Sequence, residues 1–415
     1  MVIICPITIN LDVKVASNLW FNVITTKTIN LKEVTGYVVN YIKLFDKIIE
    51  FINWNTLKHS AFMLKTDNKV SKFFTKDHLK AMIYYHIMQK DSLRDLSFGI
   101  RMSTKVKSIV TSVSLSTVSY HNNKRNYEVF LPVLTELINK ALNIGSANES
   151  LKRFGSVKLI DSTTISMSLN LYQWALFRSS KAGIKIHTRF DLNKGIPDAF
   201  VVTNAVEHDK TAMDTLIDTK HCIYVFDKGY LDYQKFDQYT KDEKYFVTRL
   251  KDNAVVTEIK DLRISHSDKR LLDVGTQIVC DKIVKLGSQY TYQTKEEYRL
   301  IKIIDKYGKE LTFITNIDEL LSEEIAWLYK KRWEIELFFK WIKQNLKFKT
   351  FIGRSLNAIM IQIITGIMTF TIFKLIEPLM EKKITMIEIK RAIKDNLFEI
   401  YEVNNYKWSN ILNSC

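Results

Sequence analysis

The chain has 415 residues, 46% of them apolar and 26% charged, the balance of a globular protein with room for two or three domains and not of a chain that stays unfolded. Its formal net charge of +16 favours a polyanionic partner, either nucleic acid or an anionic membrane surface, although a general lysine bias produces the same balance. Four scattered cysteines, Cys5, Cys222, Cys280 and Cys415, form no C-x-x-C pair, so neither a zinc knuckle nor a disulfide scaffold is supported, and a reducing cytoplasm fits.

The opening MVIICPITINLDVKVA lacks a basic leader followed by a sustained apolar run, so no signal peptide is expected. Residues 75–143 have helical apolar spacing. Thr75, Asp77 and His78 resemble a helix start, and Leu79, Met82, Ile83 and Ile87 form one stripe. Two short elements lie within this stretch, Ser92-Leu-Arg-Asp-Leu-Ser97 and Ser114-Leu-Ser-Thr-Val-Ser-Tyr-His-Asn-Asn-Lys-Arg125. The second carries the hydroxyl, amide and basic side chains of a DNA-reading helix, and equally those of an ordinary polar surface helix.

From Ser156 the pattern turns to strands. Val157-Lys-Leu-Ile-Asp161 reads as a buried strand ending in an acid, and residues 183–191 and 199–203 as two more. A helix is expected over 210–218, then Cys222-Ile-Tyr-Val-Phe-Asp227, again an apolar strand closed by an aspartate, with Gly229 turning the chain. Helix over 231–244 and strand over 245–251 follow. This β-β-β-α-β-α-β order is the layout of a ribonuclease-H-like α/β fold, in which the two acid-bearing strands are neighbours and ligand groups gather at their carboxyl ends.

The interval from Asp227 to Glu336 exceeds what one strand and one helix require. Alternating runs at 276–286 and 297–305, with a turn near Lys306-Tyr-Gly-Lys309, predict a β-rich insertion before a helix beginning around Ser322. That helix contains Tyr329-Lys-Lys-Arg332-Trp-Glu-Ile-Glu336-Leu-Phe-Phe-Lys-Trp-Ile-Lys343. At about 100° per residue, Tyr329, Arg332, Glu336 and Lys343 project within a roughly 60° wedge, and Glu334 lies about 140° away. A glutamate between cations is a poor general base and a good metal ligand beside phosphates. A solvated face with routine ion pairs is the alternative reading of this segment alone. The apolar run over 358–373 is shorter than the roughly 20 residues that span a bilayer, so a buried or interface helix is expected there.

Two strand-end aspartates and a helical glutamate form a cluster that repels itself unless divalent cations bind, and hard carboxylate oxygens suit magnesium or manganese. Two such ions about 4 Å apart support phosphodiester hydrolysis and strand transfer. Taken singly, each aspartate is more commonly a turn or cap residue.

The chain resembles the DDE transposases of bacterial insertion-sequence family four. Tyr329, Arg332, Glu336 and Lys343 match that family's Y-x2-R-x3-E-x6-K signature; Leu159-Ile-Asp161-Ser-Thr and Phe226-Asp227-Lys-Gly-Tyr230 match its aspartate motifs. Trp174-Ala-Leu-Phe-Arg178, Lys181-Ala-Gly-Ile-Lys-Ile-His187, Phe246-Val-Thr-Arg-Leu-Lys251 and Gly353-Arg-Ser-Leu-Asn357 also read as family text, and Ser92-Leu-Arg-Asp-Leu96 resembles its N-terminal DNA-binding domain.

The resemblance implies a division into 1–65 of unknown role, a helical DNA-binding domain over 66–150, and a catalytic core over 151–251 and 322–350. The β-rich insertion would then occupy 252–321, and a helical C-terminal region with a possible dimerisation role 351–415. It further implies that Asp161, Asp227 and Glu336 hold two Mg2+ ions, with Mn2+ as a substitute. Tyr329, Arg332 and Lys343 would grip the element-end strand. From the residues themselves, Arg249 and Lys251 on the last strand face phosphate or are simply exposed, and Lys340 and Lys347, flanking the signature helix, extend the basic track. The implied activity is cleavage at terminal inverted repeats and joining of 3' ends to target DNA, by a cytoplasmic, nucleoid-associated homodimer in a synaptic complex, with no membrane. The rival expectations are an inactive or domesticated DNA-binding relative and a repair nuclease of the same fold.

In hairpin-forming relatives an aromatic residue of the insertion, often tryptophan, stacks on a flipped base. This insertion has no tryptophan; Tyr290 and Tyr292 are the aromatic residues able to substitute there, and whether a hairpin is used stays open at the sequence level. Glu207-His208-Asp209 stands where the family has a His-Asp pair, with helix capping the expected job, and His187 is expected to be a satisfied core or supporting histidine.

Overall fold

The computed structural model describes residues 2–4, 41–144, 149–178, 181–262, 271–380, 384–403 and 407–408. Most of the 1–65 segment, with Cys5, and also Cys415 lie outside the described residues. The chain divides into two compact units, one formed by Met1–Cys5 and Ser146–Trp341, the other by Pro6–Gly145 and Ile342–Cys415.

In chain order, β1 (Val2–Ile4) precedes β2 (Tyr41–Lys43) and a helical series: α1 (Leu44–Ile49), α2 (Trp54–Met63), α3 (Thr75–Met88), α4 (Leu93–Met102), α5 (Thr104–Lys107), α6 (Leu115–Lys124) and α7 (Leu131–Ile144). Then come β3 (Ser156–Ser168), β4 (Leu176–Arg178), β5 (Lys181–Asp191), β6 (Ile196–Asn204), α8 (Met213–Leu216), β7 (Cys222–Phe226), α9 (Tyr233–Lys241) and β8 (Tyr245–Arg249). The β-rich stretch supplies β9 (Val256–Asp261), β10 (Gln277–Leu286), β11 (Tyr298–Ile304) and β12 (Glu310–Thr315). The chain closes with α10 (Ser322–Lys331), α11 (Trp333–Asn345), α12 (Leu356–Ile376), α13 (Met386–Asn396) and β13 (Ile400–Glu402).

The second unit is built around α12, on which α3, α6 and α7 pack. This helix runs well past the expected 358–373, and by length and composition it could cross a membrane. Its side chains are nonetheless buried almost throughout. The polar residues that interrupt its sequence are satisfied within the unit: Gln362 donates to the carbonyls of Lys347 and Thr350 and accepts from the Ile352 amide, and Thr365, Thr369 and Thr371 bond back to carbonyls four residues earlier. Such hydroxyls are paired with the helix itself, which removes the cost of burying them. Helices α4 and α6 begin where the sequence places them, because Ser92 and Ser114 accept from the amides of Asp95 and Thr117.

The first unit is an α/β body. Among the described residues its sheet has the order β1-β6-β5-β3-β7-β8-β12-β11-β10-β9, with β4 beside β5. Strands β3, β7 and β8 are mutually parallel and the other pairings antiparallel, so the sheet is mixed. All five residues of β7 are buried, as a central parallel strand requires. Cys222, Tyr224 and Phe226 join Phe236 and Tyr239 of α9 and Met213 and Leu216 of α8 in one apolar cluster, while α10 packs on β7 and β8. The β-rich stretch forms no separate sheet: β12 pairs with β8 through Ile314 and Thr248, and β11, β10 and β9 continue outward.

Two local expectations change. Strand β3 does not end at Asp161. Its parallel pairing with β7 stops at Ile160 opposite Phe226, but its antiparallel pairing with β5 runs on to Ser168, because Thr163, Thr164 and Ile165 extend the β-branched alternation. The expected single helix from Ser322 divides at Arg332. There the Arg332 amide bonds the Tyr329 carbonyl at 3.0 Å and the Ile335 amide bonds the Arg332 carbonyl at 3.2 Å, a tightened i to i+3 turn between α10 and α11.

Candidate active site

The register of the sheet brings the two aspartates together. Ile160 on β3 and Phe226 on β7 are paired neighbours, so Asp161 and Asp227, each the next residue, stand side by side where the parallel ladder ends. The Asp161 carboxylate accepts at Oδ1 from the Ser162 amide, 2.8 Å away.

The third wall is the junction of α10 and α11. The start of α10 is fastened to the sheet by a buried pair: Arg299 on β11 donates to both carboxylate oxygens of Asp281 on β10, at 2.9 and 2.6 Å, and Ser322 donates to the same carboxylate at 2.6 Å. Arg299 also donates to the carbonyls of Asp318 and Leu320, so the chain entering α10 has one course. From that fixed start, Tyr329 places its hydroxyl 2.9 Å from Asp227 Oδ1, with its ring packed on Phe313. Arg332 Nη1 donates to Asp161 Oδ2 at 2.6 Å and Nη2 to Glu336 Oε1 at 2.5 Å. Glu334 is exposed and takes no part.

Burial pushes the Asp161 carboxyl up to about 6; Arg332 opposes the rise, and the nearby Glu336 and Asp227 add to it. Burial also raises the Tyr329 hydroxyl, with the Asp227 charge adding to the effect, so it donates as a neutral phenol. The side chains of Asp161 and Glu336 are 18% and 33% exposed, open enough for a ligand to reach them.

Among the described residues no group of three or more acidic, histidine or cysteine side chains stands ready to enclose a metal ion. Arg332 bridges two of the three carboxylates instead. In kind the residues fit a divalent cation: three carboxylates offer hard oxygen donors, and the raised Asp161 carboxyl reflects desolvated negative charge that one arginine only partly offsets.

The remaining predicted residues are dispersed. Arg249 lies at the end of β8 close enough to influence Tyr329, and its buried Nε has no hydrogen-bond partner. Lys251 and Lys340 are exposed. Lys343 and Lys347 belong to the second unit, where Lys343 is partly buried and Lys347 pairs with Asp91 at 2.6 Å. Of the two insertion tyrosines, Tyr290 is fully exposed, whereas Tyr292 donates to Asp237 at 2.6 Å.

The pattern of types and spacing did not single out Ser162 and Lys185 and read Asp209 as part of a helix cap. The expected cap at Glu207-His208-Asp209 is not formed: the short 3-10 turn Asp209–Ala212 has no side-chain cap, and Asp209 Oδ1 accepts from Ser162 Oγ at 3.1 Å and pairs with Lys185 at 3.0 Å. His187 is a core histidine, bonded to Thr203 at 3.0 Å and held neutral by burial, which lowers it to about 4. The signal available in sequence was the alternation Lys185, His187 on β5, opposite Thr164 and Ser162.

Comparison with known proteins identifies relatives. Residues 152–372 match the family model of the transposase DDE domain, and residues 41–106 that of a domain of unknown function. A protein assigned as the transposase of insertion sequence element IS5377 in Geobacillus stearothermophilus is 27% identical over 62% of this chain and 66% of its own length. One assigned to element IS4SA in Synechocystis sp. is 30% identical over 68% of this chain and 78% of its own. A third, y4zB of Sinorhizobium fredii, is 30% identical over 53% of this chain and 60% of its own. The chain thus spans just under two thirds of the first relative's length and less of the third's. A solved piggyBac transposase synaptic complex with hairpin DNA covers 86% of this chain at 13% identity, with a TM-score of 0.42, too low to equate the two folds.

Proposed function

The chain belongs to the DDE transposases of insertion sequences, and from that membership we propose that it cleaves DNA at the ends of its element and joins the 3' ends to target DNA. The observation that supports the proposal is that Arg332 bridges Asp161 and Glu336, while Tyr329 in the preceding turn bonds Asp227, which stands beside Asp161 on the neighbouring strand. The order of β3, β5, β6, β7 and β8 supports a ribonuclease-H-like core, and the signature residues support placement in family four.

In this reading the three carboxylates hold two Mg2+ ions, or Mn2+, which when bound activate a water or 3'-hydroxyl and stabilise the leaving oxygen. The Tyr329 hydroxyl orients Asp227. Arg332 pairs with Asp161 and Glu336 in the free protein and would be free to meet a DNA phosphate if those carboxylates held cations. The unpartnered Nε of Arg249 and the exposed Lys251 and Lys340 suit the same backbone. Lys343 extends the helix track, and Lys347 exchanges an exposed pair with Asp91, a weak bond, for phosphate. The protein acts in the cytoplasm on the nucleoid, as a homodimer that pairs two element ends. The helical region 66–150, with α6 as its reading helix, binds the terminal repeats; residues 151–251 and 322–350 form the core, 252–321 its insertion, and 351–415 the dimerising region.

The test is nicking of DNA that carries the element's own terminal sequences, in Mg2+. Glu336→Gln, Asp161→Asn and Asp227→Asn abolish it, and Glu334→Gln retains it. Equal loss in Glu334→Gln and Glu336→Gln overturns the site, and cleavage of branched DNA with no preference for end sequences points to a nuclease instead.

A further inference from the structure

Behind Asp161 lies a polar cluster in which one carboxylate bonds the residue after Asp161 and lies beside the turn after Asp227. Ser162 follows Asp161, donates its amide to the Asp161 carboxylate, and sends its hydroxyl to Asp209 Oδ1 at 3.1 Å. Gly229, two residues after Asp227, comes so close to Asp209 that a Cβ placed on it would stand 3.4 Å from Asp209 Oδ2. Asp209 therefore sits between the residue after Asp161 and the turn after Asp227.

The carboxylate is itself fixed. Lys185 on β5 pairs with Asp209 Oδ1 at 3.0 Å and donates to the Glu207 carbonyl at 3.0 Å, tying down the loop that carries Asp209. His187 Nδ1 stands 3.7 Å from the same oxygen, but its ring is buried and uncharged at neutral pH, and its Nε2 is taken by Thr203. Tyr230 closes the cluster with its hydroxyl 3.5 Å from His187 Nδ1, and it is likewise buried and neutral. The cluster thus contains one anion and one cation, and the anion's Oδ1 serves Ser162 and Lys185 together.

We propose that Asp209, held by Lys185, is a positioning residue that sets the Asp161 carboxylate through Ser162 and so tunes divalent-cation binding at the active site. Asp209 touches neither the reacting atoms nor the proposed cations. The inference rests on the carboxylate site proposed above. Outer-shell partners that orient a metal ligand typically change metal affinity by about 10- to 100-fold when removed, and Asp209 acts one bond further out, through Ser162.

The experiment titrates Mn2+ alone, followed by electron paramagnetic resonance, into the full chain. Ser162→Ala and Asp209→Asn weaken Mn2+ binding by about ten-fold, Ser162→Thr restores it by keeping the hydroxyl, and Lys185→Arg stays closer to the parent than Lys185→Met. Thermal unfolding of Ser162→Ala stays near that of the parent, which separates positioning from a structural defect, and this variant carries the test if Asp209→Asn fails to fold. Unchanged Mn2+ affinity in Ser162→Ala and Asp209→Asn, while Asp161→Asn abolishes binding, overturns the inference and leaves the site intact. Retained binding in Asp161→Asn overturns the carboxylate site and this inference with it.

Discussion

Arg332 reaches Asp161 from the turn that divides α10 from α11, with Nη1 2.6 Å from Oδ2, while its other terminal nitrogen holds Glu336. One guanidinium thereby keeps two carboxylates in reach of each other without a metal ion, and it also competes with any cation that would bind there. We expect Arg332→Ala to bind Mn2+ more tightly than the parent in the absence of DNA. At pH 8, above the Asp161 carboxyl at about 6, the gain should be about five-fold, the equivalent of ~1 kcal/mol for a partly exposed ion pair. Calorimetric titration of both proteins measures it; equal or weaker binding by the variant shows that the arginine does not compete.

The Asp281–Arg299 pair makes a second expectation. The Asp281 side chain is fully buried and accepts both guanidinium bonds and the Ser322 hydroxyl. Arg299→Met strands that charge and should destabilise the first unit by about 3–5 kcal/mol. Because Ser322 begins the helix that carries Tyr329, weaker Mn2+ binding should accompany the loss. Urea unfolding followed by tryptophan fluorescence reads the stability; a change below 1 kcal/mol contradicts the clamp.

Acid should weaken the second unit through its buried histidines. Burial lowers His86 from the ordinary 6.5 to about 4 and pushes His78 well below 6.5. Both rings stay neutral in the fold while the unfolded chain takes up protons below about 6.5, so stability is full above that pH and falls as pH drops toward 4. The slope is about 1.4 kcal/mol per pH unit for each histidine. Unfolding midpoints at pH 7.5 and 5 should differ less in His86→Gln than in the parent, and an unchanged difference removes His86 from the explanation.

Gly366 interrupts α12 for a packing reason. A Cβ there would meet the Phe348 ring at 2.3 Å and the His86 ring at 3.2 Å, and both rings are buried. Gly366→Ala should therefore cost about 1–3 kcal/mol through overpacking, against the gain of about 1 kcal/mol that alanine gives at an open helical position. Chemical denaturation distinguishes the two signs.

Much of the sheet was legible from local pattern. Alternation and apolar runs located β5, β6, β7 and β8 within a few residues, and the turn at Lys306-Tyr-Gly-Lys309 separates β11 from β12 as read. The length of β3 was not legible, because an aspartate in an apolar run signals an end only when the partner strand ends too. Here β7 stops and β5 continues. Nor was the break at Arg332, since none of the usual helix-breaking residues marks it and the turn still lets Arg332 reach both acids.

Sequence by itself determined which side chains are available for chemistry, because residue type and helical or strand period are local properties: Asp161 and Asp227 on apolar strands, and Tyr329, Arg332 and Glu336 on one segment. Only tertiary structure decided what each is paired with. The partner of a charge depends on which distant strand the sheet sets beside it, so the arginine read as a DNA ligand bridges Asp161 and Glu336 in the free protein, and the aspartate read as a helix cap stands behind Ser162 with Lys185. Burial was decided in the same way: α12 is apolar enough for a bilayer, and the helices packed around it make it a core.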